Sequence, residues 1–266
     1  MKKEEKRSGG LPLSIIVLVM ILVVVGGLWF YSTSRSQGTA TGTRTPQTGT
    51  GQTRDVSSAP PGAPVGVNML GPADALVTVE EFADYQCQAC ALAHPIMKEL
   101  QGAYAGNKNF RFIFRHFPLS IPGHDKSYEA SVATEAAALQ GRFWQMQDQL
   151  FRNQQAWTGN PNYRQMWTDY ARNIGLDVER FSTDIASART KERVDMDIRR
   201  GRGLGVSQTP TIFVNGTLIP PSEVNIGSLR RIVDAEIQKL EAARSTGGDA
   251  GSSGGDQGGA AEPDKK

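Results

Sequence analysis

The spacing of apolar residues predicts that the folded part of the chain opens with a strand, a helix and a second strand. Residues 76–82 are β-branched and apolar, which favours a strand, and Phe110–His116 places its three phenylalanines on one face of another. Residues 91–100 between them favour a helix that is kinked or restarted at Pro95. A strand, helix and strand of this length predict two parallel strands joined by a right-handed crossover.

A block of helices is predicted next, from residue 125 to about residue 203. Large apolar side chains recur there at multiples of three and four residues, among them Trp144 and Phe151. Gly175 is expected to end one helix in the left-handed conformation, and residues 178–188 to form the next one. Because aromatic stripes at helical spacing usually belong to a core, we interpret these side chains as packing residues and not as a cofactor site.

Strand character returns after the helical block. Thr211–Val214 favours a strand, and residues 217–219 are expected to pair back onto it. Asn215 and Gly216 between them are the strongest short signal for a hairpin. An amphipathic helix follows, with apolar residues at Leu229, Ile232, Val233 and Ile237. The predicted order is therefore β-α-β, a helical insertion and β-β-α, an α/β fold that occupies residues 67–243 as one domain.

Residues 11–31 form an apolar run without any charge, which is long enough to span about 30 Å of hydrocarbon as a helix. Four basic residues lie within residues 1–10, whereas Arg35 is the only one in the ten positions after the run. The positive-inside rule therefore predicts a single-pass anchor in the cell membrane, with a cytoplasmic N-terminus and an extracytoplasmic domain. A cleaved signal peptide is the alternative, but its apolar region is expected to be shorter and to end in small residues.

Two segments have the composition of disordered chain. Residues 32–66 are rich in Ser, Thr, Gly, Gln and Pro, and residues 244–266 consist mostly of Gly, Ser, Ala and Asp. Neither segment offers enough apolar surface to order itself, so we expect a disordered linker and a disordered tail.

Charge and cysteine content exclude several classes of function. Residues 67–243 carry 19 Lys and Arg against 20 Asp and Glu, so the domain is nearly neutral and has no broad basic face for nucleic acid. The chain has two cysteines, Cys87 and Cys90, which excludes a disulfide-dense scaffold and a four-cysteine zinc module. Neither a cofactor nor a metal is predicted.

Cys87 and Cys90 lie where the first strand gives way to the first helix. Three residues apart at a helix start, their sulfurs share one face and can close a disulfide. The helix dipole and the free N–H groups favour a thiolate at Cys87, while Cys90 is shielded and is expected to resolve the mixed disulfide. Redox exchange is favoured over an inert structural disulfide and over a half zinc site, whose missing ligands would have to come from His94, His116 or His124.

Two further positions are candidates for the same site. Glu81, six residues before Cys87, is either a buried acid that exchanges protons with Cys90 or an ordinary surface charge on the first strand. Thr209 and Pro210, just before the third strand, mark either an edge-strand proline or a cis-proline.

Taken together, these residues resemble the DsbA-like thiol:disulfide oxidoreductases of the thioredoxin superfamily, and in particular their membrane-anchored bacterial branch. The resemblance covers nearly all of the domain and depends on residues 81–90, 115–119, 141–146 and 205–216. It implies a thioredoxin fold with a helical insertion between the βαβ and ββα halves, preceded by one transmembrane helix. It also implies that Cys87 is the nucleophile and Cys90 the resolving thiol. Glu81 matches the family's buried acid, and Thr209–Pro210 matches its cis-proline loop, which presents backbone to client peptide.

The resemblance further implies a function outside the membrane. The expected enzyme donates its Cys87–Cys90 disulfide to exported proteins with free thiols and is re-oxidised by a quinone-linked membrane partner. Gln88 and Ala89 stand where the family's strongest oxidants carry Pro-His, so a weaker stabilisation of the thiolate is expected. A reductase or isomerase on the same fold, and a tethered peptide-binding module without catalysis, are the alternatives.

Overall fold

A computed structural model describes Thr53 and residues 55–249, with side chains up to Ser245. The predicted anchor at residues 11–31, and the larger part of the predicted linker and tail, lie outside the described residues. Within residues 55–249, no helix is both long enough and apolar enough to cross a membrane.

A five-stranded sheet forms the centre of the domain. In chain order its strands are β1 (Met69–Leu70), β2 (Val77–Ala83), β3 (Phe110–His116), β4 (Thr211–Val214) and β5 (Thr217–Leu218). They lie side by side in the order β1-β3-β2-β4-β5, and β2 with β3 is the one parallel pair among the described strands. The predicted parallel βαβ unit is confirmed. Strand β1 has no signal in the sequence, because two residues are too few for a period-two pattern.

Eight α-helices are described. They are α1 (Gln88–Ala103), α2 (Ser127–Ala138), α3 (Phe143–Arg152), α4 (Gln154–Thr158), α5 (Tyr163–Asn173), α6 (Val178–Ala186), α7 (Ala188–Gly203) and α8 (Ile226–Asp249). A short 3-10 turn, Pro221–Glu223, precedes the last of them. Helices α2 to α7 all lie between β3 and β4 in the chain, so the predicted helical insertion is confirmed.

Helix α1 continues through Pro95, so the predicted alternative of a restart there is wrong. A proline has no N–H with which to bond the carbonyl four residues earlier. The helix nevertheless runs unbroken from Gln88 to Ala103, because Cys90 and Leu100 on either side of the proline are buried in the same core.

The helix predicted over residues 178–188 is two helices. The first ends at Ala186, and the Ser187 side chain accepts a hydrogen bond from the Thr190 N–H, which caps a new helix. Gly175, the second residue after α5, has a φ of 77°, which confirms the predicted left-handed helix end.

The β4–β5 hairpin turns at Asn215 and Gly216, as predicted, with φ values of 46° and 80°. Both lie in the left-handed region, which Asn and Gly adopt most readily. The Asn215 side chain also accepts a hydrogen bond from the Thr78 N–H at 2.8 Å and donates one to the Leu76 carbonyl at 3.1 Å, which ties the hairpin to β2. The return strand ends at Leu218, one residue earlier than predicted.

The two faces of β2 border two separate apolar clusters. Side chains alternate along a strand, so Val79, Glu81 and Ala83 share one face while Glu80 and Phe82 share the other. The main core contains Val79 and Ala83 together with the buried residues of α1, which places α1 on the Glu81 side of the sheet. The second cluster combines Phe82 with Phe117, Leu204, Val206 and Phe213.

Residues 55–66 belong to the fold, which corrects the predicted linker boundary. Ala63 is 1% exposed; its N–H donates to Asp197 Oδ1 at 2.8 Å, and its carbonyl accepts a bond from Arg115 Nη1 at 2.7 Å. A Cβ atom at Gly62 would lie 2.5 Å from the same Arg115 atom, so the close approach requires glycine. These partners come from distant parts of the chain, which is why the composition of the segment does not reveal its docking.

The C-terminal boundary also lies later than predicted. Helix α8 ends at Asp249, past the Ala243 limit of the predicted domain. Leu229, Val233 and Ile237 bury its first half in the main core. Residues 240–244 favour its continuation because Leu, Glu, Ala and Arg all have high helix propensity.

A buried ion network joins β2, β3 and α7 on the Phe82 side of the sheet. Glu80 accepts hydrogen bonds from Arg115 Nε and Arg200 Nε, both at 2.7 Å. Arg115 also donates to Asp197 at 2.9 Å. The side chains of Glu80, Arg115 and Asp197 are at most 6% exposed, so each of these charges requires its partner.

Arg115→Met is therefore expected to destabilise the protein strongly, because it leaves Glu80 and Asp197 buried without their shared partner. Breaking a buried ion pair in this way costs about 3–5 kcal/mol of unfolding free energy. The control is Arg172→Met: Arg172 is 58% exposed and pairs with Asp169 on its own helix, so we expect a change below about 0.5 kcal/mol. Urea unfolding followed by circular dichroism measures both, and equal effects of the two variants would contradict the role of the network.

Candidate redox site

Cys87 and Cys90 lie at the start of α1, directly after the loop that leaves β2. Cys87 is the N-cap residue, with φ −71° and ψ 118°, and Cys90 lies in the first helical turn. Both thiols are free; Cys87 is partly exposed and Cys90 is fully buried. Of the two sulfurs, Cys87 is therefore the one that a thiol from another protein reaches.

The surroundings of Cys87 stabilise its thiolate. A hydrogen bond from the Cys90 thiol, together with weaker ones from the N–H groups of Cys90 and Ala89, lowers the pKa of Cys87 from 9.0 to about 5, against a partial burial that raises it. The two N–H groups are available because the first N–H groups of a helix have no partner within it. The helix dipole acts in the same direction. Cys87 is thus a thiolate at neutral pH.

Cys90 has the opposite properties. Burial raises the pKa of its thiol well above its ordinary value, and the thiolate of Cys87 raises it further. The protonated Cys90 is also the group that donates to Cys87. The structure therefore separates the pair into an accessible thiolate and a buried thiol.

Glu81 is buried, so the alternative of a surface charge is wrong. It is 3% exposed, and its cross-strand neighbours are Phe114 of β3 and Ile212 of β4. Burial in these apolar surroundings raises the pKa of Glu81 from 4.5 to about 8. Because α1 covers this face of β2, the acid lies on the same side of the sheet as Cys90.

The Thr209–Pro210 peptide bond is cis, which decides between the two alternatives that the sequence leaves open. The loop lies against the nucleophile, with the Thr209 carbonyl oxygen 3.2 Å from Cys87 Sγ. A cavity of 180 Å³ adjoins it and is lined in part by Ser207, Gln208, Pro210 and Phe213. The structure thus brings this loop to a cysteine that is far away in the sequence.

Asp84, which the sequence analysis did not single out, holds the loop before Cys87. Its fully buried carboxylate accepts hydrogen bonds from the Gln86 N–H, the Leu119 N–H and His124 Nδ1, each at 2.7 Å. Its backbone carbonyl accepts the Cys87 N–H at 3.2 Å. The bond from Asp84 to the N–H two residues on is an Asx turn, and an aspartate between a strand and a helix is the local signal for it.

Gln154 is a second residue that sequence reasoning missed. From the first position of α4 it donates its side-chain amide to the Tyr85 carbonyl at 2.7 Å and to the Cys87 carbonyl at 2.9 Å. The side chain is buried, so the helical insertion holds the backbone of the nucleophile directly. No local pattern marks this glutamine, because the contact exists only when the insertion packs on the active-site loop.

The three histidines each contact a different carboxylate, in the pairs His94–Asp148, His116–Glu135 and His124–Asp84. In the part of the chain that the structure describes, no group of three or more potential metal ligands comes together. Among these described residues, no such group of metal ligands surrounds Cys87 and Cys90.

Several solved structures share the architecture of this chain. A thioredoxin-like oxidoreductase from Silicibacter pomeroyi DSS-3 is 27% identical with a TM-score of 0.51, over 65% of this chain and 91% of that one. The fold is also shared with oxidised BdbD from Bacillus subtilis (21% identity, TM-score 0.54, 68% and 98% of the two chains). Likewise, alpha-DsbA1 from Wolbachia pipientis is 18% identical with a TM-score of 0.56, over 66% and 93% of the two chains.

The described residues form a domain with the fold of the DsbA proteins and a pair of cysteines, Cys87 and Cys90, at the start of its first helix. The chain belongs to the thioredoxin family, since the family model with that description matches residues 65–235.

Curated relatives with similar sequences are longer proteins. The Na(+)/H(+) antiporter NhaA 1 of Mycolicibacterium gilvum is 33% identical over 169 residues, which are 59% of this chain and 26% of the relative. The Na(+)/H(+) antiporter NhaA 3 of Salinispora tropica is 38% identical over 149 residues, or 56% and 22% of the two chains. This chain thus matches about a quarter of the length of each of these relatives.

Titration of the reduced protein should show Cys87 losing its proton near pH 5, which ultraviolet thiolate absorbance measures. The lowered pKa stabilises the folded reduced protein fully above pH 9.0, and this contribution is lost as the pH falls towards 5. Cys87→Ser should abolish the transition, because Cys90 titrates far above it. A midpoint near 9.0 in the wild type would show that the Cys90 thiol and the helix start do not stabilise the thiolate.

Glu81→Gln should stabilise the protein at pH 8 and leave its stability unchanged below pH 4.5. Between these values the folded protein keeps a proton on Glu81 that the unfolded chain has lost, so the wild type loses unfolding free energy as pH rises. The wild type loses roughly 1.4 kcal/mol of unfolding free energy per pH unit. Glu81→Gln does not, because its amide carries no proton that titrates in this range. Urea unfolding at both pH values is the measurement, with the exposed Glu99→Gln as control. A pH-independent difference would argue against a raised pKa.

Proposed function

We propose that this protein oxidises dithiols of exported proteins by passing on the disulfide between Cys87 and Cys90. The observation that carries the proposal is the asymmetry of the pair, an accessible thiolate with a pKa of about 5 beside a buried thiol whose pKa is raised. Such a pair reacts at one sulfur and resolves at the other.

The exchange takes place in two steps. A client thiolate attacks Cys87 Sγ of the oxidised enzyme, the Cys87–Cys90 bond breaks, and Cys90 leaves as a thiolate that takes up a proton. The second client thiolate then attacks the client sulfur of the mixed disulfide and releases the Cys87 thiolate. Two electrons pass from the client to the enzyme. The low pKa of Cys87 makes it a good leaving group in the second step.

Glu81 is the proposed proton donor to Cys90. Its pKa of about 8 keeps it protonated at neutral pH, and it shares the buried side of the sheet with Cys90. A neutral acid supplies the proton that the leaving thiolate needs, and it recovers the proton when Cys90 is oxidised again.

The pKa of Cys87 also supports oxidation over reduction. A helix start that stabilises the thiolate stabilises the reduced enzyme, and this makes its disulfide a stronger oxidant. The Gln88-Ala89 pair lacks an imidazole, but the N–H groups and the Cys90 thiol supply the stabilisation instead.

The proposal places the domain outside the cell membrane, anchored by residues 11–31 with a cytoplasmic N-terminus. The charge difference across that apolar run supports this orientation. The partial match to proteins named as Na(+)/H(+) antiporters is in keeping with a membrane location. Since each cycle leaves the enzyme with two thiols, we propose that a quinone-linked membrane partner takes up their electrons.

Cys90→Ala should accumulate mixed disulfides at Cys87 when its thiolate attacks the disulfide of an oxidised exported protein, which is the reverse of the second step. The freed client sulfur leaves as a thiolate, and no Cys90 thiol is left to attack Cys87 Sγ and complete the release. Non-reducing gel electrophoresis with mass spectrometry identifies the trapped clients. The double variant Cys87→Ser with Cys90→Ala is the matched control and should trap none. If the single and double variants behave alike, the exchange function is contradicted.

The reduction potential distinguishes an oxidase from a reductase on the same fold. Strong oxidants of this superfamily have potentials near about −120 mV, and reductants have potentials near about −270 mV. We expect a potential closer to that of the oxidants. A non-catalytic peptide-binding module would instead retain its function in Cys87→Ser.

A further inference from the structure

We propose that a groove along α1 binds the client polypeptide beyond its reacting cysteine and favours an apolar residue followed by an acidic one. The proposal rests on the proposed function, because the groove is used only when a client cysteine reaches Cys87. We refer to it as the α1 groove: the cleft between α1 and the α3–α4 junction, lined by Gln88, Ala91, Leu92, Pro95, Lys98, Asp148, Phe151 and Arg152.

The α1 groove consists of two adjoining cavities. One has a volume of 410 Å³ and begins at Gln88, between the two cysteines. The other has a volume of 470 Å³ and ends at Lys98. Both are lined by Ala91, Phe151 and Arg152, so together they form one continuous path away from the redox site.

The α1 groove is separate from the cavity beside the cis-proline loop, since no residue lines both. A client chain bonded at Cys87 extends in two directions from its cysteine. If one direction follows the Thr209–Pro210 loop, the other direction leads past Gln88, where the α1 groove begins. The surface is therefore continuous with the site at which the exchange takes place.

The part of the groove close to Cys87 combines an exposed leucine with polar neighbours, Gln88, Asn153 and Gln155. Leu92 is 68% exposed, the highest exposure among the large apolar side chains of the described residues. Ala91 and Phe151 line the same cavity as Leu92. An exposed leucine in a cleft beside a reactive thiolate fits a client's apolar side chain, which would cover it during exchange.

The far end of the groove is cationic. Lys98 Nζ and Arg152 Nη1 both contact Asp148, at 2.7 and 3.3 Å, and the two cations are 51% and 71% exposed against 19% for the carboxylate. His94 also contacts Asp148, at 3.0 Å, and burial lowers the pKa of this histidine, so it adds no charge at neutral pH. Two solvent-facing cations around one shielded carboxylate give this end a net positive charge, which suits an acidic client side chain.

The length of the groove sets the spacing of these client residues. Helix α1 rises about 15 Å from Gln88 to Lys98. An extended chain covers this distance in about four or five residues. The favoured client therefore has an apolar residue about two positions from its cysteine and an acidic residue about four or five positions from it.

The test compares the oxidation of dithiol peptides. Each peptide carries Cys-Gly-Gly-Cys next to a recognition segment. The Leu/Glu peptide has Leu and Glu at the favoured spacing, the Ser peptide has Ser in place of Leu, and the Lys peptide has Lys in place of Glu. The segment is placed before the dithiol in one series and after it in another. Dithiothreitol, which does not extend beyond Cys87, is the reference, and the readout is the ratio of kcat/KM for peptide to that for dithiothreitol.

The wild type should favour the Leu/Glu peptide in one series. Leu92→Ser should lower the ratio about tenfold for the Leu peptides and leave it unchanged for the Ser peptide. Arg152→Glu should lower it about fivefold for the Glu peptide and raise it for the Lys peptide. Two matched controls should change neither ratio. Val67→Ser removes another exposed apolar side chain, which is 41% exposed. Arg172→Glu removes an arginine that pairs with Asp169 on its own helix, as Arg152 pairs with Asp148.

The outcomes separate this proposal from the one on which it rests. If the wild type oxidises every peptide without preference, or if Leu92→Ser slows dithiothreitol and peptides in equal proportion, the α1 groove is not a client site while the exchange function stands. If the wild type reacts with dithiothreitol but oxidises no peptide, the proposed function itself fails, and the α1 groove proposal with it.

Discussion

The thiolate of Cys87 is stabilised first by the hydrogen bond from the Cys90 thiol and then by the free N–H groups at the start of α1. Both depend on the position at which this helix starts, which the other parts of the site determine. Helix α1 is fixed by its buried residues in the main core, against the Glu81 face of β2. Asp84 holds the connecting loop through its carboxylate and its carbonyl, which receives the Cys87 N–H. Without a fixed loop, the N–H groups of Ala89 and Cys90 would not point at the sulfur, and the pKa of Cys87 would return towards its ordinary value.

Two neighbouring glutamates show how burial and charge pairing divide the domain into a redox side and a structural side. Burial alone would raise the pKa of Glu80, but Arg200 and Arg115 lower it below its ordinary value, so Glu80 is ionised and holds the ion network together. Burial without such partners raises the pKa of Glu81, which therefore stays neutral until about pH 8. A single strand thus carries a structural carboxylate on one face and a protonated acid on the other, because successive side chains point to opposite faces.

The helical insertion contributes to the site as well as to the core. Gln154 bonds the backbone carbonyl of the nucleophile, and His124, just before α2, bonds Asp84. The insertion also forms one wall of the α1 groove, where Phe151 and Arg152 face α1. The thioredoxin core supplies the cysteine pair, while the insertion holds its backbone and shapes the surface that a client meets.

The sequence by itself determined the features whose signals are local. The individual elements of the βαβ unit and of the helical insertion, the Asn215–Gly216 hairpin and the cysteine pair at a helix start each follow from a pattern within one short segment of the chain. Only the tertiary structure decided that Glu81 is buried, that Ala63 docks on Asp197, and that Gln154 reaches Cys87. Burial, and with it a pKa, is the sum of contacts from segments that are distant in the chain, and no local pattern records which segments will meet.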